Sequence, residues 1–253
     1  MPNLQQNSPL WFSLYDNNEY EGTEPLFYES LEHIKGISNL KKNYSVIYQE
    51  LCAFLEKQEM EAQFNITMVE KPKSWKVRSL RVWGVEMYQY QKYFPQTMQL
   101  LNQIENVVNI GFNLLEPNAT IKPHQGDTNA IIRCHLALEV PKEKEKCFLC
   151  VKQECKHWET GEILAFTDAY THYATNQTHQ RRIILLFDIL KPEYIKKKNL
   201  ICATVLTSFY LQQIGNYFPQ LYKLPRRYFK LLLYPMIKCI QWAIPIRNYL
   251  KRK

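Results

Sequence analysis

The run Ile131-Ile132-Arg133-Cys134-His135-Leu136-Ala137-Leu138 has a period of two. Ile132, Cys134, Leu136 and Leu138 fall on one face, and Arg133, His135 and Ala137 on the other. This pattern predicts a strand, and similar runs surround it: Val107–Leu115, Ala130–Val140, Cys147–Lys152, Ile163–Phe166 and Arg182–Leu190, broken by turns such as Pro117-Asn118. Trp75 to Val82 also reads as extended. Short strands with no helical pattern between them predict an antiparallel sandwich or barrel and exclude a Rossmann sheet. If both faces of the central strand are covered, Arg133 and His135 point into an interior, where an isolated charge is prohibitively costly. Arg133 therefore needs a partner, either an internal Asp or Glu or a bound anion.

Outward from this segment the texture changes. Asn43–Lys57 and Pro95–Val107 carry apolar residues at helical spacing, with Pro95 in the first turn of the second. The expected organisation is a helical and irregular lead-in over residues 1–74, a β core over about 75–190, and a basic, apolar, helical tail over 191–253. The 253 residues carry 32 Lys+Arg against 24 Asp+Glu, but the surplus is uneven. From Lys191 to Lys253 there are 13 basic residues and one acid, a net of +12, which leaves 19 basic and 23 acidic residues, a net of −4, in the first 190. A uniformly basic nucleic-acid-binding domain is excluded, and no recognition motif supports nucleic-acid binding by the tail. With 46% hydrophobic and 22% charged residues the chain is of globular, not disordered, composition. Seven glycines without a G-x-G-x-x-G or Walker A pattern exclude a glycine-rich phosphate cradle. Met1 to Leu10 has neither a basic nor an apolar signal region, and the seven cysteines are scattered, so free thiols and a cytoplasmic location are expected.

The polar residues that can do chemistry cluster in the β segment. Pro123-His124-Gln125-Gly126-Asp127 lies upstream of the central strand, and Asp168-Ala169-Tyr170-Thr171-His172 lies downstream, with Arg182 ten residues after His172. Two histidines at the ends of different strands can converge on one divalent metal, and neutral imidazole suits non-haem Fe(II). Unrelated surface histidines give the same spacing, so position alone leaves both readings open.

The combination is more specific. Leu115 to Asn129, Ile132 to Leu138 and Phe166 to His172, with the lead-in Trp75–Thr97, resemble the aspartyl/asparaginyl β-hydroxylase family over Trp75 to Asp188. That family, whose members include lipid A hydroxylase-like proteins, consists of Fe(II)- and 2-oxoglutarate-dependent oxygenases. The resemblance implies a mainly β fold with a double-stranded β-helix (jelly-roll or cupin-like) core, flanked by N-terminal helices and a helical C-terminal extension. It places iron on His124 and His172, the distal carboxylate of 2-oxoglutarate on Arg182, and the opposite side of this cosubstrate against Arg133 and His135. Asn113 stands where the family often has a hydroxyl. Gly126 stands two residues after His124, where many oxygenases carry an Asp, and the resemblance implies water in that third position. Asp127 reads as a turn residue, and Asp168 as an acid orienting a ligand or metal-bound water. The implied function is a 2-oxoglutarate-dependent dioxygenase using Fe(II) and O2 to hydroxylate an Asp/Asn-type residue of a peptide, a carrier-bound amino acid or a lipid acyl chain. The alternative is a non-catalytic barrel that holds a metal or carboxylate as a sensor or scaffold, with a membrane-associating tail.

Two other features compete for attention. Cys147, Cys150, Cys155 and His157 have a zinc-like spacing, but Cys147 and Cys150 would point to opposite faces of a strand. His179 sits in a polar stretch and is expected to be exposed. In the tail, Asn199 to Tyr222 carries no charge, yet Gln212, Gln213, Gly215, Asn216 and Pro219 make its second half poor membrane material. Basic residues among Tyr, Trp and Leu follow, in Leu224–Tyr234, Trp242–Ile246 and Lys251–Lys253. Two readings stand side by side: an interfacial helix on the anionic inner face of a membrane, or a packed helical extension with a solvated basic face.

Overall fold

The computed structural model describes residues 8–16, 18–63, 65–217 and 229–252. The strands are β1 (Phe27–Tyr28), β2 (Glu61–Ala62), β3 (Trp75–Val82), β4 (Val85–Glu86), β5 (Val107–Leu115), β6 (Ala119–His124), β7 (Ile131–Glu139), β8 (Cys147–Val151), β9 (Glu154–His157), β10 (Ile163–Phe166), β11 (His172–Asn176) and β12 (Arg182–Leu190). The helices are α1 (Ile37–Lys42), α2 (Tyr44–Leu55), α3 (Tyr88–Gln91), α4 (Pro95–Leu101), α5 (Lys198–Tyr217) and α6 (Phe229–Lys251). One antiparallel sheet has the order β1-β10-β7-β12-β5-β3-β2, with β4 paired to β3, and a second has the order β6-β11-β8-β9. The mainly β, jelly-roll-like architecture with helices at both ends is therefore present.

The period of two sorts each long strand between two cores. Cys134, Leu136 and Leu138 of β7, with Ile183, Leu185, Phe187 and Ile189 of β12, face outward onto α1, α2 and α4. Ala137, Ile184 and Leu115 face inward onto Ile121, Leu149 and Ala174 of the smaller sheet. The inward residues of β12 thus include Arg182 and Asp188, and those of β7 include Arg133 and His135. A third cluster, around Trp83, Ile131 and Leu190, is capped by Ile201, Cys202 and Val205 of α5.

Several boundaries differ from expectation. The second expected helix ends at Leu101, because Asn106 turns the chain with φ 59° and Val107 already opens β5. Ile104 is still buried with Met98 and Leu101, so the apolar spacing ran on through a turn. Strands β6, β9 and β11 were not anticipated. β6 (Ala-Thr-Ile-Lys-Pro-His) contains a proline and β11 (His-Tyr-Ala-Thr-Asn) has no branched aliphatic residue, so neither carries the usual β signature. Free thiols were expected throughout, but Cys150 and Cys155 face each other across β8 and β9 and form a disulfide. That pairing, with Cys147 buried and His157 turned to Glu159, dismantles the zinc-like spacing. Residues 224–228 of the basic stretch and the terminal Lys253 lie outside the described residues.

Helix α4 is capped from another element. Its preceding residue, Phe94, offers no side-chain cap. Instead the Glu50 carboxylate of α2 accepts from the amides of Gln96 (2.8 Å) and Thr97 (2.9 Å) and from the Thr97 hydroxyl (2.7 Å). These bonds satisfy donors that a helix start leaves open and tie α2 to α4. Glu50→Ala should lower unfolding free energy by about 1–2 kcal/mol in urea titration. An unchanged midpoint would show that solvent replaces the carboxylate.

Candidate active site

His124 ends β6, His172 begins β11, and the two are register partners. Their ring centroids lie 4.2 Å apart. Each ring makes the same local contact: Nδ1 of His124 lies 2.8 Å from the Lys122 carbonyl, and Nδ1 of His172 lies 2.8 Å from the Tyr170 carbonyl. A carbonyl can only accept, so both Nδ1 atoms carry the proton and both Nε2 lone pairs are left to bind something else. Burial lowers the pKa of His124, and burial plus the neighbouring His124 lowers that of His172 further. Both imidazoles are thus held in the neutral form that a metal needs.

A carboxylate approaches this pair from the loop before β11. Asp168 Oδ1 lies 3.4 Å from His172 Nε2, and its Oδ2 is buried without a hydrogen-bond partner. The cation beside Oδ1 is the Arg133 guanidinium, whose Nη1 pairs with it. At Gly126, two residues after His124, a Cβ would overlap the Asp168 carboxylate, so Asp168 occupies the space that a side chain at 126 would need. Among the described residues no set of three or more His, Cys, Asp or Glu forms a ready-made metal cage. The donor chemistry that is present, two oriented neutral imidazoles with a carboxylate beside them, fits a divalent metal.

Arg133 has its partners inside the protein. Its Nε and Nη2 grip both oxygens of Asp188 at 2.8 and 2.9 Å, and its Nη1 pairs with Asp168. Burial alone would lower the pKa of this guanidinium, but the Asp168 and Asp188 carboxylates more than reverse that. The internal-acid partner is the one the structure contains, and Arg133 thereby braces Asp168 beside His172. Asn109 adds a bond of 3.0 Å to Asp188.

Arg182 is different. It is 2% exposed, its Nε has no partner, and among the described residues no carboxylate pairs with it. Burial pushes its pKa down to about 10. Its guanidinium lies over the Trp158 ring at 4.7 Å, and Trp158 Nε1 donates to His135 Nδ1 at 3.3 Å. His135 is thus fixed with its proton on Nε2, which is buried and unpartnered. Burial, and then the Arg182 and Arg133 charges, keep His135 neutral. On β5, Asn113 Oδ1 accepts from Trp75 Nε1 at 2.8 Å, which leaves the amide nitrogen as the end that can donate.

These groups line a void of about 50 Å³ that holds Arg182, His135, Trp158 and both metal-competent histidines in its wall. A larger cavity of about 450 Å³ shares Trp75, Asn113, His124 and Arg133 with it and opens toward α5. All the residues expected from the sequence meet here: His124, His172, Arg182, Arg133, His135, Asn113 and Asp168. Trp158, Trp75 and Asp188 were not anticipated. Asp188 lies in a stretch read only as a strand, Arg182–Leu190, and the tryptophan N–H bonds reach across 23 and 38 residues of sequence. His179 is exposed, as expected.

Residues 41–192 match the family model described as aspartyl/asparaginyl beta-hydroxylase. The ornithine lipid ester-linked acyl 2-hydroxylase of Rhizobium tropici is 31% identical over 160 residues, covering 61% of this chain and 57% of that protein. The human aspartyl/asparaginyl beta-hydroxylase is 26% identical over 162 residues, covering 62% of this chain and 21% of that protein. The match thus spans little more than half of the first relative and about a fifth of the second. Among solved structures, a Pseudomonas putida prolyl-4-hydroxylase superposes with TM-score 0.40 at 14% identity, over 62% of this chain and 90% of that one.

Asp127 was expected to be a turn residue. Its carboxyl is drawn up to about 7 by burial and by Asp168, against a hydrogen bond from Ser208 of α5 that acts the other way. A carboxyl whose folded pKa is raised costs stability when it ionises, and that cost grows with pH up to the folded value. Asp127→Asn should therefore raise the melting temperature, with a gain that increases from pH 4 to about 7 and then levels off. A gain that is flat across this range would show that the carboxyl ionises freely.

Proposed function

Because the chain belongs to the aspartyl/asparaginyl β-hydroxylase family, we propose that it is an Fe(II)- and 2-oxoglutarate-dependent dioxygenase that hydroxylates an unactivated C–H bond. The observation that carries this reading is the buried guanidinium of Arg182, without an acid partner among the described residues, set in one void with two imidazoles whose Nδ1 atoms are held by backbone carbonyls. A dicarboxylate that reaches from a metal on His124 and His172 to Arg182 satisfies both ends. Taking Arg133, Arg182, Asp168 and Asp188 as charged, this interior is balanced at two against two. A divalent cation entering together with a dicarboxylate dianion keeps it balanced.

The residues divide the work. The Lys122 and Tyr170 carbonyls orient the two imidazoles and hold each proton on Nδ1, so Nε2 is the atom that would bind a metal. Arg182 holds the far carboxylate of 2-oxoglutarate by charge-assisted hydrogen bonds, and Trp158 keeps its guanidinium flat and dry. His135 Nε2–H and the Asn113 amide are donors toward the same ligand. Asp168, braced by Arg133, sits where it can accept from a metal-bound water. When bound, iron with O2 supplies an oxidant that can take hydrogen from an unactivated carbon. The balance is C–H plus O2 plus 2-oxoglutarate giving C–OH, succinate and CO2, with one oxygen atom in the hydroxyl and the other in succinate. The candidate substrates are an Asp/Asn-type side chain of a peptide, a carrier-bound amino acid and a lipid acyl chain.

Succinate release from 2-oxoglutarate with Fe(II) and O2 tests this. His124→Ala and His172→Ala should abolish it, and Arg182→Lys should raise KM for 2-oxoglutarate by about tenfold to a hundredfold as bidentate pairing is lost. Turnover that survives loss of either histidine, or a KM indifferent to Arg182, would overturn the assignment.

A further inference from the structure

We infer that the α5–α6 helix pair seats the protein on an anionic lipid leaflet, and that its α5 wall admits an acyl chain of a membrane lipid to His124 and His172. The second half of this inference rests on the hydroxylase reading above.

Helix α6 has two apolar faces. One packs against the body: Ile237 is buried, Ile240 and Ile244 join the cluster around Trp83 and Cys202, and Asn248 bonds to the Glu86 amide (3.0 Å) and the Gly84 carbonyl (2.7 Å). These positions follow the three-and-four spacing of one helix stripe. The opposite stripe carries Tyr234, Trp242, Ile246 and Tyr249, which are 55%, 70%, 57% and 67% exposed. Among the described residues, every large exposed apolar side chain lies at Ile195 or beyond, and none lies on the β body. An apolar face of this extent with no cover is unusual in a soluble domain.

Charge selects the occupant. The segment from Lys191 to Lys253 has 13 basic residues and one acid, so the exposed rings and aliphatics are set in a field that attracts anions. Lys238 on this face lies 5.4 Å from the Tyr234 ring. Aromatic and aliphatic side chains ringed by Lys and Arg match the boundary between acyl chains and anionic headgroups. No helix among the described residues is long and apolar enough to cross a membrane, and α6 contains Pro235 and Pro245 as well. The pair would lie on the surface.

Helix α5 also bounds the larger cavity. Leu206, Phe209, Tyr210 and Gln212 of α5 form one wall of the 450 Å³ cavity, and His124 and Arg133 form its floor. Tyr210 belongs to both settings, since it lines the cavity and is 50% exposed. A chain leaving the leaflet beside Tyr210 therefore enters the cavity without crossing bulk water. The mixed lining, with Met68, Ile110 and Phe209 beside Gln63 and Gln212, suits an acyl chain still joined to its polar headgroup.

The test uses the full chain and the double variant Trp242→Glu, Ile246→Glu, which touches neither the histidines nor the cavity. Wild-type protein should sediment with phosphatidylglycerol vesicles, less so as salt rises, and weakly with phosphatidylcholine. The double variant should lose about tenfold in vesicle affinity while keeping lipid-free succinate release unchanged. Brominated acyl chains should quench Trp242 fluorescence, and Trp242→Phe should remove the quenching. Phosphatidylglycerol vesicles should raise succinate release by wild type about threefold or more, and not by the variant. Absence of vesicle binding with succinate release intact overturns docking and leaves the hydroxylase reading in place. Docking with no succinate release under any condition does the reverse. Docking without stimulation overturns the acyl-chain assignment, and self-association in place of vesicle binding assigns the face to a second copy.

Discussion

A guanidinium buried without a counter-charge costs several kcal/mol after relaxation, and the rest of this structure is arranged around one such group. Arg133 and Arg182 both point into the space between the two sheets, from adjacent strands of the larger one. Arg133 is neutralised twice, by Asp188 in a two-pronged contact and by Asp168. Among the described residues Arg182 receives the face of Trp158 and no acid. The contrast separates a structural cation, whose work is to hold an acid in place, from a cation kept available for a ligand. A fold that can supply two acids to one arginine and none to its neighbour is shaped by something that arrives later.

The metal-competent end obeys a related constraint. The smaller sheet contributes both histidines, and their identical carbonyl contacts set the two rings without help from long-range neighbours. Asp168 reaches the pair from the loop before β11, filling the room that Gly126 leaves by having no side chain. A carboxylate stands close to the histidines even though the position two residues after the first histidine carries none. Its delivery depends on Arg133, and so on Asp188 two strands of chemistry away.

The long strands of the larger sheet were legible because they are rich in branched residues, and β5, β7 and β12 are largely buried on both faces. β3, β5, β10 and β12 match the expected bounds. In the smaller sheet β8 was legible, but β6 and β11, which bear both histidines, were not, because Pro123 and the polar Thr175 and Asn176 break the pattern that marks a strand. Resemblance of motifs, not periodicity, pointed to His124 and His172. The resemblance set Arg182 on the distal carboxylate and Arg133 on the opposite side of the same cosubstrate, while the strand pattern left Arg133 either an anion or an internal acid. Which of them is already paired depends on tertiary contacts, the two acids that hold Arg133 lying 35 and 55 residues away in the chain. Likewise Cys150 and Cys155 become partners only once β9 is seen to fold back on β8.

The matched segment ends at residue 192, six residues before α5 begins. The floor of the larger cavity therefore lies within the matched segment, and its α5 wall lies after it. A substitution in that wall would change what the chamber admits while leaving the residues beneath it untouched.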